Sequence, residues 1–175
     1  MSCIQTLSGI TKDCSSNMGG IVEVYMLNRD DVNTFTITDD VVTKITAKNP
    51  QNTRFSTFSF PRNTGNLTST YNIDRTAGTR YVSSDLTLYF NRMETSKRVA
   101  VTALAQAELL VIVKDANGKY WLLGYEEGAS ANGGGGETGT ARADSNRYSI
   151  IIHDESSALP LEVNYSAFED LLVEE

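Results

Sequence analysis

The sequence has 175 residues, of which 40% are hydrophobic and 21% are charged, a composition typical of one domain with its own core. It carries 22 acidic against 15 basic residues, a net charge of −7, which disfavours binding to a phosphate backbone because that binding depends on clustered Lys and Arg. No apolar run is long enough to cross a bilayer.

The first third of the chain is typical of a series of short strands. Residues 1–20 show no periodicity, and Asn17–Gly20 reads as a turn. Alternating or β-branched residues predict strands at 21–27, 34–38, 41–48 and 54–60. Polar stretches between them, one of which contains Pro50, predict the turns.

Two longer and more polar runs, residues 66–74 and 80–91, predict a hairpin around a turn at 76–79. We expect residues 61–91 to form a projecting arm, because an isolated two-stranded ribbon is only marginally stable and would gain from strand addition to a neighbouring subunit. The alternative is an exposed hairpin within one sheet. The arm hypothesis predicts inter-subunit contacts at Arg62, Tyr71, Ile73, Arg75, Arg80, Tyr81 and Val82.

The second half of the chain predicts a helix followed by a buried platform. Residues 95–108 are rich in Ala and predict a helix with a small-residue face at Ala100, Leu104 and Ala107. Residues 109–115 are almost wholly apolar and predict a strand buried on both faces, which Asn117-Gly118 joins to a return strand at 119–125. Further strands are predicted at 147–153 and 159–163, and a short helix from Ser166 to Leu172.

The glycine-rich stretch 129–140, with four consecutive glycines at 133–136, predicts a flexible loop. Together these elements predict a single domain over residues 1–175. The expected fold is all-β: a β-sandwich or barrel of roughly eight to ten strands with one flanking α-helix and a long hairpin arm.

Charge is unevenly distributed along the chain. Residues 54–98 hold seven basic and three acidic residues, whereas residues 137–175 hold two basic and nine acidic ones. This asymmetry is consistent either with complementary subunit faces or with an ordinary solvated surface. The first residues lack the basic flank and apolar core of a signal peptide, so we expect folding in the cytosol, with Cys3 and Cys14 as reduced thiols.

No residue pattern predicts catalysis, a cofactor or a metal. The glycine run is followed by Glu137, where a phosphate-binding loop needs Lys, and Glu137 would repel phosphate. His153 and Asp154 with a serine match no nucleophile motif, so we expect that the protein is not an enzyme. Tyr120, Trp121 and Tyr125 could stack on sugars or bases, although aromatic residues in an apolar hairpin are more often core or interface anchors.

Several segments carry a family pattern. After the apolar strand come DANGKYWLLG at 115–124, a loop ending TGTA at 138–141, DSNRY at 144–148 and ESSALP at 155–160. The opening ITKDC at 10–14 and GGI at 19–21 add to it. The pattern resembles the tail tube proteins of bacteriophages and prophages of Bacteroidales-type hosts, most closely in their C-terminal half.

The resemblance implies a virion structural protein that is assembled in the host bacterial cytoplasm and located in the tail. Subunits of that family usually close hexameric rings, which stack into the tube that conducts DNA during ejection. The implied partners are further copies of the chain and other tail or neck proteins, with DNA passing without specific binding and with no membrane anchor. An acidic lumen would suit this role, because it repels the phosphate backbone. The alternatives are another ring, connector or neck component of a tail and, from a different class, a carbohydrate- or surface-binding β-sandwich module.

Overall fold

The computed structural model describes residues 8–172, and strands dominate it. One α-helix, α1, spans Thr95–Leu104, and short 3-10 turns lie at Arg29–Asp31, Tyr165–Ala167 and Glu169–Leu171. The strands are β1 Ile21–Asn28, β2 Val32–Thr38, β3 Val41–Ala47, β4 Ser56–Phe58, β5 Asn66–Asp74, β6 Thr79–Asn91, β7 Glu108–Asp115, β8 Tyr120–Leu123, β9 Ala129–Glu137, β10 Arg147–Ser156 and β11 Leu161–Val163.

All eleven strands join one mixed sheet. Nine of them follow the order β2-β3-β11-β8-β7-β9-β10-β6-β5, while β1 pairs with β7 and carries β4 on its other side. The β3–β11 pair is parallel and the other pairs are antiparallel. The predicted fold class, all-β with one flanking helix, is confirmed.

The strand β7 separates two hydrophobic cores. Leu110 and Ile112 point into a cluster that includes Tyr25 and Phe168, whereas the alternate residues of β7 point into a cluster with β6, β10 and α1. Because successive side chains of a strand face opposite ways, a strand with a core on each side must be apolar at every position. The prediction of a strand buried on both faces is confirmed for residues 109–113, whereas Lys114 and Asp115 at the end of the strand are only half-buried.

The glycine-rich stretch is a strand, so the prediction of a loop over residues 129–140 is wrong for residues 129–137. The strand β9 pairs with β10 from Ser130 opposite His153 to Glu137 opposite Arg147. At Gly134 the backbone has φ +144°, and an added Cβ would lie 2.5 Å from the carbonyl oxygen of Ser149. Glycine therefore serves a strand conformation that other residues rarely adopt.

The arm predicted over residues 61–91 is largely part of the sheet. From Val82 to Asn91, β6 pairs with β10, and Leu86 and Leu88 are fully buried. Only the end of the hairpin, residues 72–81, continues past the last β6–β10 pair. The polar residues of β6 alternate with apolar ones, so its polarity reflects one exposed face and not a strand detached from the core.

The helix α1 ends at Leu104, four residues before the predicted end. Leu104 is its one buried residue and packs with Val101 into the cluster around Ile150. The rest of the helix surface is exposed or half-buried, which leaves its alanine-rich side uncovered. Within the described residues, no helix is long and apolar enough to span a membrane.

Candidate functional site

The exposed end of the β5–β6 hairpin, residues 72–81, together with the adjoining Tyr71 is the candidate site. Tyr71 is 50% exposed and Ile73 is 60% exposed, and the side chain of Tyr81 is also exposed. Tyr71 and Ile73 share one face of the edge strand β5, whereas Tyr81 lies opposite Asn72 on β6 and faces the other side. Exposed large apolar side chains on an edge strand are typical of a contact surface. Three of the predicted contact residues therefore lie where a partner could reach them.

Val82 does not belong to that surface. It is fully buried, in the row of β6 residues that continues through Ser84 and Leu86 into the core. Tyr71 lies directly opposite Val82 on β5, so the two side chains share a face. The prediction of an inter-subunit contact at Val82 is wrong, because the side chain already packs within its own subunit.

The three predicted arginines are exposed but do not converge on one point. Arg75 lies in the turn of the hairpin, Arg80 lies opposite Ile73, and Arg62 lies before β5. None of them forms an ion pair with a residue in the range 8–172. The hairpin thus presents dispersed positive charge and not an anion pocket.

Polar contacts hold the hairpin strands together. The hydroxyl oxygens of Ser69 and Ser84 lie 2.8 Å apart, and Asn72 Nδ2 donates to Ser83 Oγ at 2.9 Å. Asp74 closes the turn by accepting two backbone N–H bonds. These bonds explain how a run of Ser, Thr and Asn pairs firmly without an apolar interior.

The hairpin belongs to a four-stranded unit, β9-β10-β6-β5, which we call the ribbon. On its outer side β5 has no partner strand among the described residues, and β9 has none beyond its two-residue contact with β7 at Ala129 and Ser130. Neighbouring strands of the ribbon are antiparallel, so β5 and β9 run in opposite directions. The ribbon therefore ends in two free edges that could pair with each other between copies.

The face of the ribbon opposite the helix carries charged pairs. Asp85 Oδ1 lies 2.7 Å from His153 Nδ1, and this hydrogen bond raises the pKa of His153 above its ordinary value. Arg147 Nε donates to Glu137 Oε1 at 2.5 Å, and its guanidinium lies 4.2 Å from the ring centre of Tyr89. Hydrogen bonds from Ser145 and then from Arg147 lower the pKa of Glu137.

Asp154 is the one buried carboxylate of the ribbon in the described part of the chain. It is 4% exposed, and its Oδ1 has no hydrogen-bond partner. Burial raises the pKa of Asp154, although a bond from the backbone of Gly124 opposes the shift. An isolated buried carboxylate destabilises the fold when it is charged.

The residues considered earlier for binding or redox chemistry lie apart. Tyr120 packs against Tyr25 and Phe168, while Trp121 is half-buried and its Nε1 donates to Asp115 at 2.9 Å. Tyr125 packs against Phe35. Cys14 is exposed, Cys3 lies outside the described residues, and no group of three His, Cys, Asp or Glu residues within 8–172 could hold a metal ion.

Sequence reasoning found the exposed hairpin but missed the free edge of β9, because its glycines read as a loop. The pairing of β9 depends on contacts with β10, which a local pattern does not show. No protein-family model, curated protein or solved structure matches this chain.

Proposed function

We propose that this chain is a structural subunit of a bacteriophage virion. Within that class we propose the protomer of a tail tube, built from stacked homo-oligomeric rings, that conducts DNA during ejection. The sequence pattern over residues 109–163 supports the family, and an all-β fold with one helix is compatible with it. The observation that carries the proposal is the ribbon with its two free edges.

Edge pairing between copies would produce a ring. The outer side of β5 in one copy faces the outer side of β9 in the next, and the two strands run antiparallel. Such a contact joins two different surfaces head to tail, which closes into a ring when the rotation between subunits divides the circle. Repetition around the ring would strengthen a contact that is weak by itself.

The uncovered face of the ribbon would then line the channel, because α1 occupies the other face. Among its described charged residues are Asp85, Glu137 and Glu155 against Arg147, with His153 as the titratable group. Ser, Thr and Gly fill much of the remaining surface, which also includes Tyr81, Tyr89 and Ile151. A face with an excess of negative charge would repel DNA phosphates and let the duplex slide.

The hairpin end would contact the neighbouring ring. Arg75 and Arg80 are exposed on this hairpin end. The C-terminal part of each subunit is acidic, with Glu169 and Asp170 exposed, so the arginines of one ring would meet acidic residues of the next. Charge complementarity of this kind sets orientation and association rate more than affinity, since exposed ion pairs contribute only about 0–1 kcal/mol each. We therefore expect polymerisation to slow as salt rises.

Another ring, connector or neck component of a tail would use the same edges, and electron microscopy distinguishes it by yielding single rings without tubes. A carbohydrate- or surface-binding module has less support. Tyr120 and Tyr125 pack against the core cluster, and Trp121 lies on the opposite face of β8 from Tyr120, so the three rings form no common platform.

The test combines negative-stain microscopy with light scattering on the purified chain. Ile73→Asp should abolish tubes and reduce rings, because it places a charge in the contact at the β5 edge. Val99→Asp is the matched control, since Val99 is 55% exposed and lies on α1 and not on β5. A wild-type chain that stays monomeric at every concentration, or equal assembly of the two variants, would contradict the proposal.

A further inference from the structure

A groove of about 400 Å³ lies between α1 and the outer strand β9. Val101, Thr102 and Ala105 form its helix wall, and its floor includes Gly134 beside the buried Ile150. No side chain projects from Gly134, where an added Cβ would lie 2.5 Å from a backbone carbonyl oxygen. The groove is therefore bounded by small groups, and it lies at the edge of the sheet because β9 is the last strand on this side of the ribbon.

Two large apolar side chains project from the opposite edge of the ribbon. Tyr71 and Ile73 lie on β5 and are largely exposed. Tyr71 pairs with Val82, in the buried row of β6 that continues to Leu86 on the helix side. Gly134 pairs with a buried residue of β10 and faces the helix side too. Edge pairing between copies therefore puts the projecting side chains and the groove on the same face.

The backbone groups at the two edges are oriented for pairing. Arg92 N–H donates to the carbonyl oxygen of Asn146 at 2.7 Å, which continues the β6–β10 ladder by one pair. Even-numbered residues of β6 therefore direct their N–H and C=O groups to β10, and the alternation carries through the ribbon. It directs the backbone groups of Tyr71, Ile73 and Gly134 outward, where no residue within 8–172 bonds to them.

The hand of the ribbon sets the direction in which neighbouring copies are staggered. Viewed from the helix side with β6 running upward, these backbone directions place β5 on the left and β9 on the right, because the residues are L-amino acids. In a closed barrel the twist of the sheet tilts every strand to the right in this view, by about 35–45°. The β9 strand of one copy therefore meets the later part of β5 of the next copy.

The stagger amounts to about four to six residues. Across four strands ~4.8 Å apart, a tilt of about 35–45° displaces equivalent residues by roughly 13–19 Å, at ~3.3 Å per residue. The number must be even, because an odd one would exchange the two faces. Within one ribbon Gly133 is level with Asn66. A stagger of about six residues places Gly133 opposite Asn72 and Gly134 opposite Tyr71.

We propose that Tyr71 and Ile73 of one copy enter the α1–β9 groove of the next copy, with Tyr71 opposite Gly134. This inference rests on the proposed function and adds to it the register and the residues that make the contact. The Tyr71 ring lies over Gly134 against Val101, and Ile73 lies near Ala131. An aromatic side chain that covers a glycine on the neighbouring strand stabilises the edge of a sheet.

The same register keeps the channel face polar. The alternate residues of the two strands point away from α1, and the pairs on that face are Glu137 with Thr68, Gly135 with Thr70 and Gly133 with Asn72. The contact therefore buries apolar groups on the helix side alone.

Directed disulfide formation tests the register. In a background of Cys3→Ser and Cys14→Ser, one chain carries Gly135→Cys, and a co-expressed chain with a longer tag carries Thr70→Cys. Gly135 has open space around it, and Thr70 is exposed. Residues directly opposite on antiparallel strands have Cα atoms about 4.5–5.5 Å apart, within disulfide range. After oxidation with diamide, we expect a disulfide-linked heterodimer on a non-reducing gel.

The control replaces Thr70→Cys with Thr68→Cys, since Thr68 is also exposed and lies on the same face of β5. It should give several-fold less heterodimer. A stronger cross-link through Thr68 would keep the edge pairing of the proposed function but overturn the groove contact. No cross-link at either position would also overturn the groove contact, and rings of the wild-type chain under the microscope would then still support the proposed function.

Filling the groove tests the contact itself. Ala105→Phe in the Gly135→Cys chain should reduce the cross-link at least about tenfold, because the new ring occupies the space of Tyr71. In the Thr70→Cys chain it should leave the cross-link unchanged, since that chain supplies the projecting side chains and not the groove. An unchanged cross-link there also shows that the variant folds.

Ala103→Phe is the matched control, because Ala103 is an exposed alanine on the side of α1 toward β4. It should leave the cross-link unchanged in either chain. Equal losses from Ala105→Phe and Ala103→Phe, or equal losses whichever chain carries Ala105→Phe, would overturn the proposal.

Discussion

Truncation of Val82 and of Ile73 to alanine should separate folding from assembly within one hairpin. Val82 is fully buried, so Val82→Ala removes two buried methyl-sized groups, or about 1.6 kcal/mol at ~0.8 kcal/mol each. A residual cavity adds to this loss, and we expect the free energy of unfolding to fall by about 1.5–3 kcal/mol in total. Ile73 is 60% exposed, so Ile73→Ala should change it by less than about 0.5 kcal/mol.

Urea unfolding followed by the fluorescence of Trp121, the single tryptophan, measures both losses, and an unchanged denaturant slope confirms that stability alone has changed. Assembly should show the reverse order, with Ile73→Ala reducing rings and tubes although its subunit is stable. If Ile73→Ala destabilised the subunit as much as Val82→Ala, the division of the hairpin into a buried part and an exposed end would be refuted.

Three further substitutions probe the ribbon. Asp154 has a raised pKa in the folded state, so its charge lowers the stability of the fold above that pKa. Asp154→Asn should therefore raise the free energy of unfolding at pH 7. Urea titrations at lower pH should show this gain disappearing below the ordinary aspartate pKa of 3.8. The hydrogen bond with Asp85 raises the pKa of His153 in the folded state. Its protonated form therefore stabilises the fold fully below the ordinary histidine pKa of 6.5, and this stabilisation is lost as the pH rises through the pKa of the folded state. His153→Gln should lower the free energy of unfolding by about 0–1 kcal/mol at pH 5.5 and by less at pH 8.5. Gly134→Ala should lower the melting temperature by several degrees because of its positive φ and the carbonyl beside it, whereas Gly135→Ala, with open space around it, should not.

The sequence predicted those elements whose local pattern and tertiary setting agree. The strand β5 was predicted at 66–74 and observed at Asn66–Asp74, and the apolar run of β7 announced a strand buried on both faces. In both cases the residue pattern matches the burial of the two strand faces: β7 is apolar on both faces because both are buried, and β5 is mostly polar because it is largely exposed.

Two misassignments share a cause, which is that strand pairing is non-local. The glycines of β9 have low strand propensity, yet β10 supplies hydrogen-bond partners along Ser130–Glu137. From the sequence, Val82 was predicted to belong to a polar arm. In the structure it pairs with Ser156 on β10 and is fully buried.

The position of β7 between two cores governs how the subunit unfolds. Leu110 and Ile112 belong to one core, and the other core contains Leu109, Val111 and Val113. Neither core can therefore open without exposing one face of β7 to water. We expect the amides of β7 to exchange only through global unfolding, at one rate that a substitution in either core accelerates alike. In such a subunit the two cores unfold together. A force that pulls on the ribbon therefore has to disrupt the second core as well as the core that the ribbon covers.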